Sequence, residues 1–225
     1  MSVQAFTIVF ALYPDLTQLD FTGPFEVFAR MPEARVRLAS ANGGRLRSDA
    51  GLVFADLECL ADIEHCDVLC VPGGRGQVTA MGDPAYMADV RRLGAGARFV
   101  TSVCTGSLIL AAAGLIAGKR AACHWAFRDL LAHFGAIPDL ARVVRDGDVI
   151  SGGGVTAGID FALTVAAELY GAEIAQQIQL QIEYAPSPPF DSGRPETAPP
   201  HIVARVRAEM EHMLTQRADA MREAV

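Results

Sequence analysis

Residues Arg98 to Gly118 read RFVTSVCTGSLILAAAGLIAG, and this stretch decides the fold. Arg98 to Val103 is an apolar, β-rich run. It passes with no linker into Cys104-Thr105-Gly106-Ser107 and a helical run from Leu108 to Ile116, which Gly118 closes. A buried strand feeding a helix is the repeating unit of a parallel sheet with helices on both faces. Functional sites in such folds lie at the carboxyl ends of the strands, and Cys104 stands at one.

The flanking sequence extends the pattern. Val3 to Tyr13 reads as a buried strand, followed by helical segments holding Leu16, Leu19, Phe25, Val27 and Phe28 and interrupted at Gly23-Pro24. Arg35 to Ser40 is a short strand, Gly43-Gly44 a turn, and Leu52 to Ala55 an edge strand. Val68 to Val71 is wholly apolar and stops at Pro72-Gly73-Gly74. Asp83-Pro84 opens a helix through Leu93. Arg120 to Cys123 reads as a strand and Trp125 to Phe134 as a helix. Asp146-Gly147 joins Arg142–Val144 to Asp148–Ser151 in a hairpin. Helices follow from Thr156 to Tyr170, from Ala172 to Tyr184, and from His201 onward beyond a proline-rich loop. We expect one α/β domain over residues 1–225, with a mostly parallel central sheet.

Composition narrows the function. The 225 residues are 51% hydrophobic and 20% charged, which suits a packed core. Lys plus Arg is 19 and Asp plus Glu 26, giving −7, a charge that disfavours a nucleic-acid face. The longest apolar run, Leu108 to Ala117, is far short of the roughly 20 residues a membrane helix needs. The opening MSVQAFTIVFALYPD has no basic leader, so a cytoplasmic protein is expected, with no membrane partner. The five cysteines, at 59, 66, 70, 104 and 123, have no disulfide spacing and are expected to be reduced. Cys59, His65, Cys66 and Cys70 match no common zinc pattern, so no metal is expected.

Several residues admit both a chemical and a structural role. Near a helix start, Cys104 is placed to be a stabilised thiolate nucleophile, or it is a small buried residue in a tight turn. Pro72-Gly73-Gly74-Arg75-Gly76 either offers N–H groups to a developing charge or merely turns the chain; Gly152-Gly153-Gly154 poses the same choice. Asp20, between Leu19 and Phe21, is a desolvated proton donor or a helix cap. His124 is a base or a structural histidine.

Three ordered motifs then carry a resemblance: Leu19-Asp20-x-x-Gly23-Pro24, Val71-Pro72-Gly73-Gly74-x-Gly76 and Thr101-Ser102-Val103-Cys104-Thr105-Gly106-Ser107. With His124-Trp125, Gly152 to Asp160 and Gln181 to Pro186, they resemble the ThiJ/PfpI superfamily over nearly the whole chain. The resemblance implies a flavodoxin-like three-layer sandwich related to class I glutamine amidotransferases. Within the superfamily it points to the members that hydrate isonitriles to N-substituted formamides. It implies Cys104 as nucleophile, Asp20 as the proton-handling carboxyl and Thr105 as their support. Gly73, Gly74, Gly153 and His124 are then expected to bind substrate or an oxyanion. It further implies no cofactor, an isonitrile as the small-molecule partner, and a homodimer. Arg75 is large for the glycine loop and is expected at the pocket mouth; Cys123 is a potential disulfide partner for Cys104. Other cysteine-dependent activities of the superfamily (glyoxalase, peptidase-like hydrolase) and a ligand or redox sensor are the rival readings.

Overall fold

The computed structural model of the chain describes residues 5–223. Its strands are β1 (Thr7–Leu12), β2 (Arg35–Ser40), β3 (Gly44–Arg47), β4 (Val53–Cys59), β5 (Val68–Val71), β6 (Phe99–Val103), β7 (Arg120–Ala121), β8 (Ile137–Pro138), β9 (Val143–Asp146) and β10 (Val149–Gly152). Its helices are α1 (Leu19–Phe28), α2 (Gln77–Met81), α3 (Pro84–Gly96), α4 (Gly106–Ala112), α5 (Ala157–Tyr170), α6 (Ala172–Gln181) and α7 (Pro200–Glu223).

Eight strands form one sheet in the order β3-β4-β2-β1-β5-β6-β10-β9. The six inner strands run parallel, and β3 and β9 close the edges antiparallel. Every residue of β5, β6 and β10 is buried, which is why these strands read as continuous apolar runs rather than alternating ones. Helices α1, α5 and α6 pack as one layer and α2, α3 and α4 as the other. The α/β sandwich with its mostly parallel sheet is therefore the expected fold. Separately, β7 and β8 pair beside it.

The local departures have physical causes. α1 runs unbroken through Gly23-Pro24 instead of splitting there. A Cβ on Gly23 would sit 3.3 Å from Ile159, and one on Gly158 would sit 3.0 Å from Pro24, so close packing of α1 on α5 holds the proline in a helix it would otherwise weaken. α4 ends at Ala112 rather than Ile116, because Gly114 turns left-handed at φ 77° and caps it. α6 stops at Gln181, three residues early; Glu183 turns at φ 50°, and the Tyr184 hydroxyl donates to Asp160 Oδ2 at 2.9 Å. Trp125 to Ala126 is not helical, and only Arg128–Phe134 forms a 3-10 turn. Residues 44–47 make an edge strand the sequence did not announce, and β4 extends to Cys59. The first strand is Thr7–Leu12; residues 1–4, where its expected start falls, lie outside the described residues.

Candidate active site

The sheet delivers three loops to one edge. β1 ends at Leu12 and leads to Asp20 in the first turn of α1. β5 ends at Val71 and leads to Pro72-Gly73-Gly74, and β6 ends at Val103 and leads to Cys104. The loops interlock without space for extra atoms. A Cβ on Gly106 would lie 2.0 Å from the Val71 carbonyl oxygen. One on Gly73 would lie 2.6 Å from Thr105 N and 2.7 Å from Asp20 Oδ2. The glycines of both motifs are required because neighbouring backbone already fills the Cβ positions.

Cys104 is 6% exposed and holds φ 57°, a left-handed conformation that a non-glycine residue adopts at a cost of roughly 1–2 kcal/mol. This sharp bend lets the chain leave β6 and enter α4 within two residues. It presents the thiol at the start of α4, where first-turn N–H groups lack intrahelical acceptors and favour negative charge.

Asp20 is fully buried and is not a helix cap: Gln18 occupies that position. Gly73 N–H donates to Asp20 Oδ2 at 2.9 Å, and Oδ1 has no hydrogen-bond partner among the described residues. Burial raises the Asp20 carboxyl to about 7; hydrogen bonds from Gly73 N–H and with the Cys104 side chain pull the other way, and the charge of Asp49 adds to the rise. Asp20 is thus a carboxyl that keeps its proton up to neutral pH beside the thiol.

Thr105 is 1% exposed, and its Oγ1 accepts from Gly74 N–H at 3.1 Å. It ties the Cys104 turn to the glycine loop. Thr105→Val is expected to lower stability by about 1–3 kcal/mol, since the buried Gly74 N–H loses its acceptor, while Thr105→Ser retains most of it. Denaturant midpoints of the two variants check this.

The amides of the three candidate glycines each have a protein acceptor. The Gly73 N–H serves Asp20, the Gly74 N–H serves Thr105, and the Gly153 N–H donates to Arg142 O at 2.9 Å. Gly153 lines a neighbouring cleft with Cys123 and Trp125, not the Cys104 cavity.

Cys104 opens onto a cavity of about 160 Å³. His124 and Arg75 reach it, Arg75 exposed at its rim. His124 Nδ1 accepts from Ala126 N–H at 3.3 Å, and its ring lies 5.5 Å from that of Phe127. Cys123 is 3% exposed and lines the neighbouring cleft, and all five cysteines are free thiols. Burial pushes Cys66 and Cys70 up to about 12, so neither is a thiolate at neutral pH. No group of three metal-ligating side chains occurs among the described residues.

Six lining residues escaped the sequence reading. Thr17 Oγ1 donates to Asp49 Oδ2 at 2.6 Å, and both line the cavity. Met210 and Met213 of α7 line it too, with Phe127 and Val155. Thr17 lies within the same loop as Asp20 and was open to suspicion. Asp49 sits in a turn between edge strands, and nothing local marks it. Met210 and Met213 are three apart on a charged helix, a spacing that signals an apolar face but not what it covers.

A strained cysteine elbow, a buried carboxyl of raised proton affinity beside it and a glycine loop locked to both define a family. The chain belongs to the DJ-1/PfpI family, whose model matches residues 6–168. It is 50% identical over 222 residues to the isonitrile hydratase of Pseudomonas putida, covering 96% of this chain and 97% of that protein. It superposes with a TM-score of 0.95 on a ThiJ/PfpI family protein from Pseudomonas syringae, at 38% identity, covering 97% of this chain and 91% of that one. Drosophila melanogaster DJ-1beta superposes with a TM-score of 0.72 at 25% identity; all of it is covered, but only 81% of this chain.

Proposed function

We propose that this chain is an isonitrile hydratase, adding water to R–N≡C to give R–NH–CHO. The observation that carries the reading is the pairing of Cys104, which lines a small and partly apolar cavity, with the buried Asp20, a carboxyl raised to about 7. The half-identical Pseudomonas putida isonitrile hydratase supports the choice of reaction.

The chemistry follows from the two side chains. The Cys104 thiolate attacks the terminal isonitrile carbon and forms a C–S bond. That carbon takes the proton from Asp20, leaving a thioimidate, R–N=CH–S–Cys104, and an Asp20 carboxylate. Water adds to the same carbon, giving its proton to Asp20, which passes it to the nitrogen. Cleavage of the C–S bond then returns the thiolate, and the hydroxyl proton of the tetrahedral adduct goes back to Asp20 as the formamide leaves. Thr105 and Gly73 hold the two groups in register. No cofactor enters this cycle.

The wider reading is of a cytoplasmic homodimer in which residues 1–225 act as one unit. Its support is the resemblance to isonitrile-hydrating superfamily members; for the single unit, one sheet with one contiguous core adds to it.

The test is direct. Wild-type protein incubated with methyl isocyanide or cyclohexyl isocyanide is expected to yield one formamide per isonitrile consumed, followed by proton NMR, and not to consume methylglyoxal. Folded protein that leaves both isonitriles untouched would overturn the proposal, and consumption of methylglyoxal instead would favour the glyoxalase reading.

A further inference from the structure

The family model matches residues 6–168, yet one wall of the Cys104 cavity comes from α7, residues Pro200–Glu223. The Arg207–Trp125 contact and the packing of Met210 and Met213 on the core hold α7 there. Ile202, Val203 and Val206 line a groove with Trp125 and the 192–195 loop. The Arg207 guanidinium stacks 5.4 Å from the centre of the Trp125 ring. One turn further on, Met210 and Met213 are partly buried against the core and line the cavity. These positions recur every three or four residues, so one helical face carries both the anchor and the wall.

The cavity lining is mixed. The Thr17–Asp49 pair, Arg75 and His124 are polar, while Phe127, Val155, Met210 and Met213 are apolar. An isonitrile has one reactive carbon and one substituent on nitrogen. With the carbon at Cys104, an apolar substituent gains most against the apolar side chains. Methionine is unbranched and soft, suited to wrapping groups of differing shape.

We infer that α7 is the specificity element of this site: Met210 and Met213 form the surface that receives the nitrogen substituent and set the preference for bulky over small isonitriles. This rests on the isonitrile reading above. The two methionines are positioning and specificity residues, remote from the proton transfers.

The experiment compares kcat and KM for cyclohexyl and methyl isocyanide in the full-length wild type and in Met210→Ala, Met213→Ala, Met213→Leu and Met213→Phe. The expected result is that each alanine variant lowers the cyclohexyl-to-methyl ratio of kcat/KM about tenfold, the loss falling in KM, as for lost uniform binding. Met213→Leu is expected to restore the ratio to within about threefold of wild type, and Met213→Phe to lower it by filling the space. If the alanine variants fail to fold, the leucine and phenylalanine variants still decide the matter. A ratio that stays constant across folded variants, or a loss in kcat equal for both substrates, overturns the inference while leaving the hydratase reading intact. Wild type that hydrates neither isonitrile overturns both.

Discussion

Cys104→Ala is expected to lower kcat/KM for isonitrile hydration by a factor on the order of 10⁴ or more, because both the C–S bond-forming and C–S bond-breaking steps disappear with the sulfur. The fold is expected to survive. The side chain is small, and alanine meets the same left-handed backbone cost as cysteine at φ 57°. Cys104→Gly serves as a companion: it relieves that cost, so it should be about 1 kcal/mol more stable than the alanine variant and equally inactive. Rapid quenching of wild type with substrate, followed by mass spectrometry of the Cys104 peptide, should reveal the thioimidate, heavier than the free thiol by one isonitrile. A folded alanine variant with a tenth or more of wild-type activity would remove Cys104 from the chemistry.

The second large effect is expected at Asp20. Asp20→Asn preserves shape and the acceptor for Gly73 N–H but cannot cycle a proton, and a loss of roughly 10²–10⁴-fold is expected. Wild-type kcat/KM should fall as pH rises through about 7, where Asp20 loses its proton, and the residual activity of the asparagine variant should lack that limb. Stability should fall with rising pH as well, mostly between about pH 4 and pH 7. The folded carboxyl sits at about 7 against an ordinary 3.8, so the folded protein binds the proton more tightly than the unfolded chain. Its contribution is complete below about pH 4, fades as pH climbs through 7, and leaves a buried carboxylate above that. The upper bound on this change is on the order of 4 kcal/mol. Asp20→Asn should thus gain stability relative to wild type between pH 5 and pH 8, as read by denaturant midpoints at both values. An identical pH dependence in the two proteins would refute the assignment of the raised carboxyl to Asp20.

Most of the frame was legible because burial on both faces writes itself plainly into β5 and β6, whose expected and observed ends nearly coincide. Cys104 was legible for the same reason: a buried strand that becomes a helix with no intervening loop leaves one place for an elbow. Asp20 announced itself as an acid among apolar neighbours, but the choice between cap and proton carrier depended on Gly73, 53 residues away. Distance in sequence also hid the rest. The unbroken α1 depends on its contact with α5, which overrides the local cost of Pro24. The partners of the Gly73, Gly74 and Gly153 amides were hidden too, because a glycine amide's partner is set by tertiary contacts. Met210 and Met213 were legible as an apolar stripe and illegible as a cavity wall, since periodicity tells which residues share a face and not what that face meets.

The wide scatter of the site along the chain has a consequence for the protein's birth. Asp20 acquires its raised proton affinity only when the segment around Gly73 and Cys104 has been enclosed with it. The cavity gains its last wall only when α7 docks. A chain still emerging from the ribosome therefore carries an ordinary exposed thiol and an ordinary carboxylate. The reactive couple is switched on by completion of the fold, through contacts between residues far apart in sequence whose loop-closure entropy must first be met. Folding thus doubles as the safety catch on the chemistry.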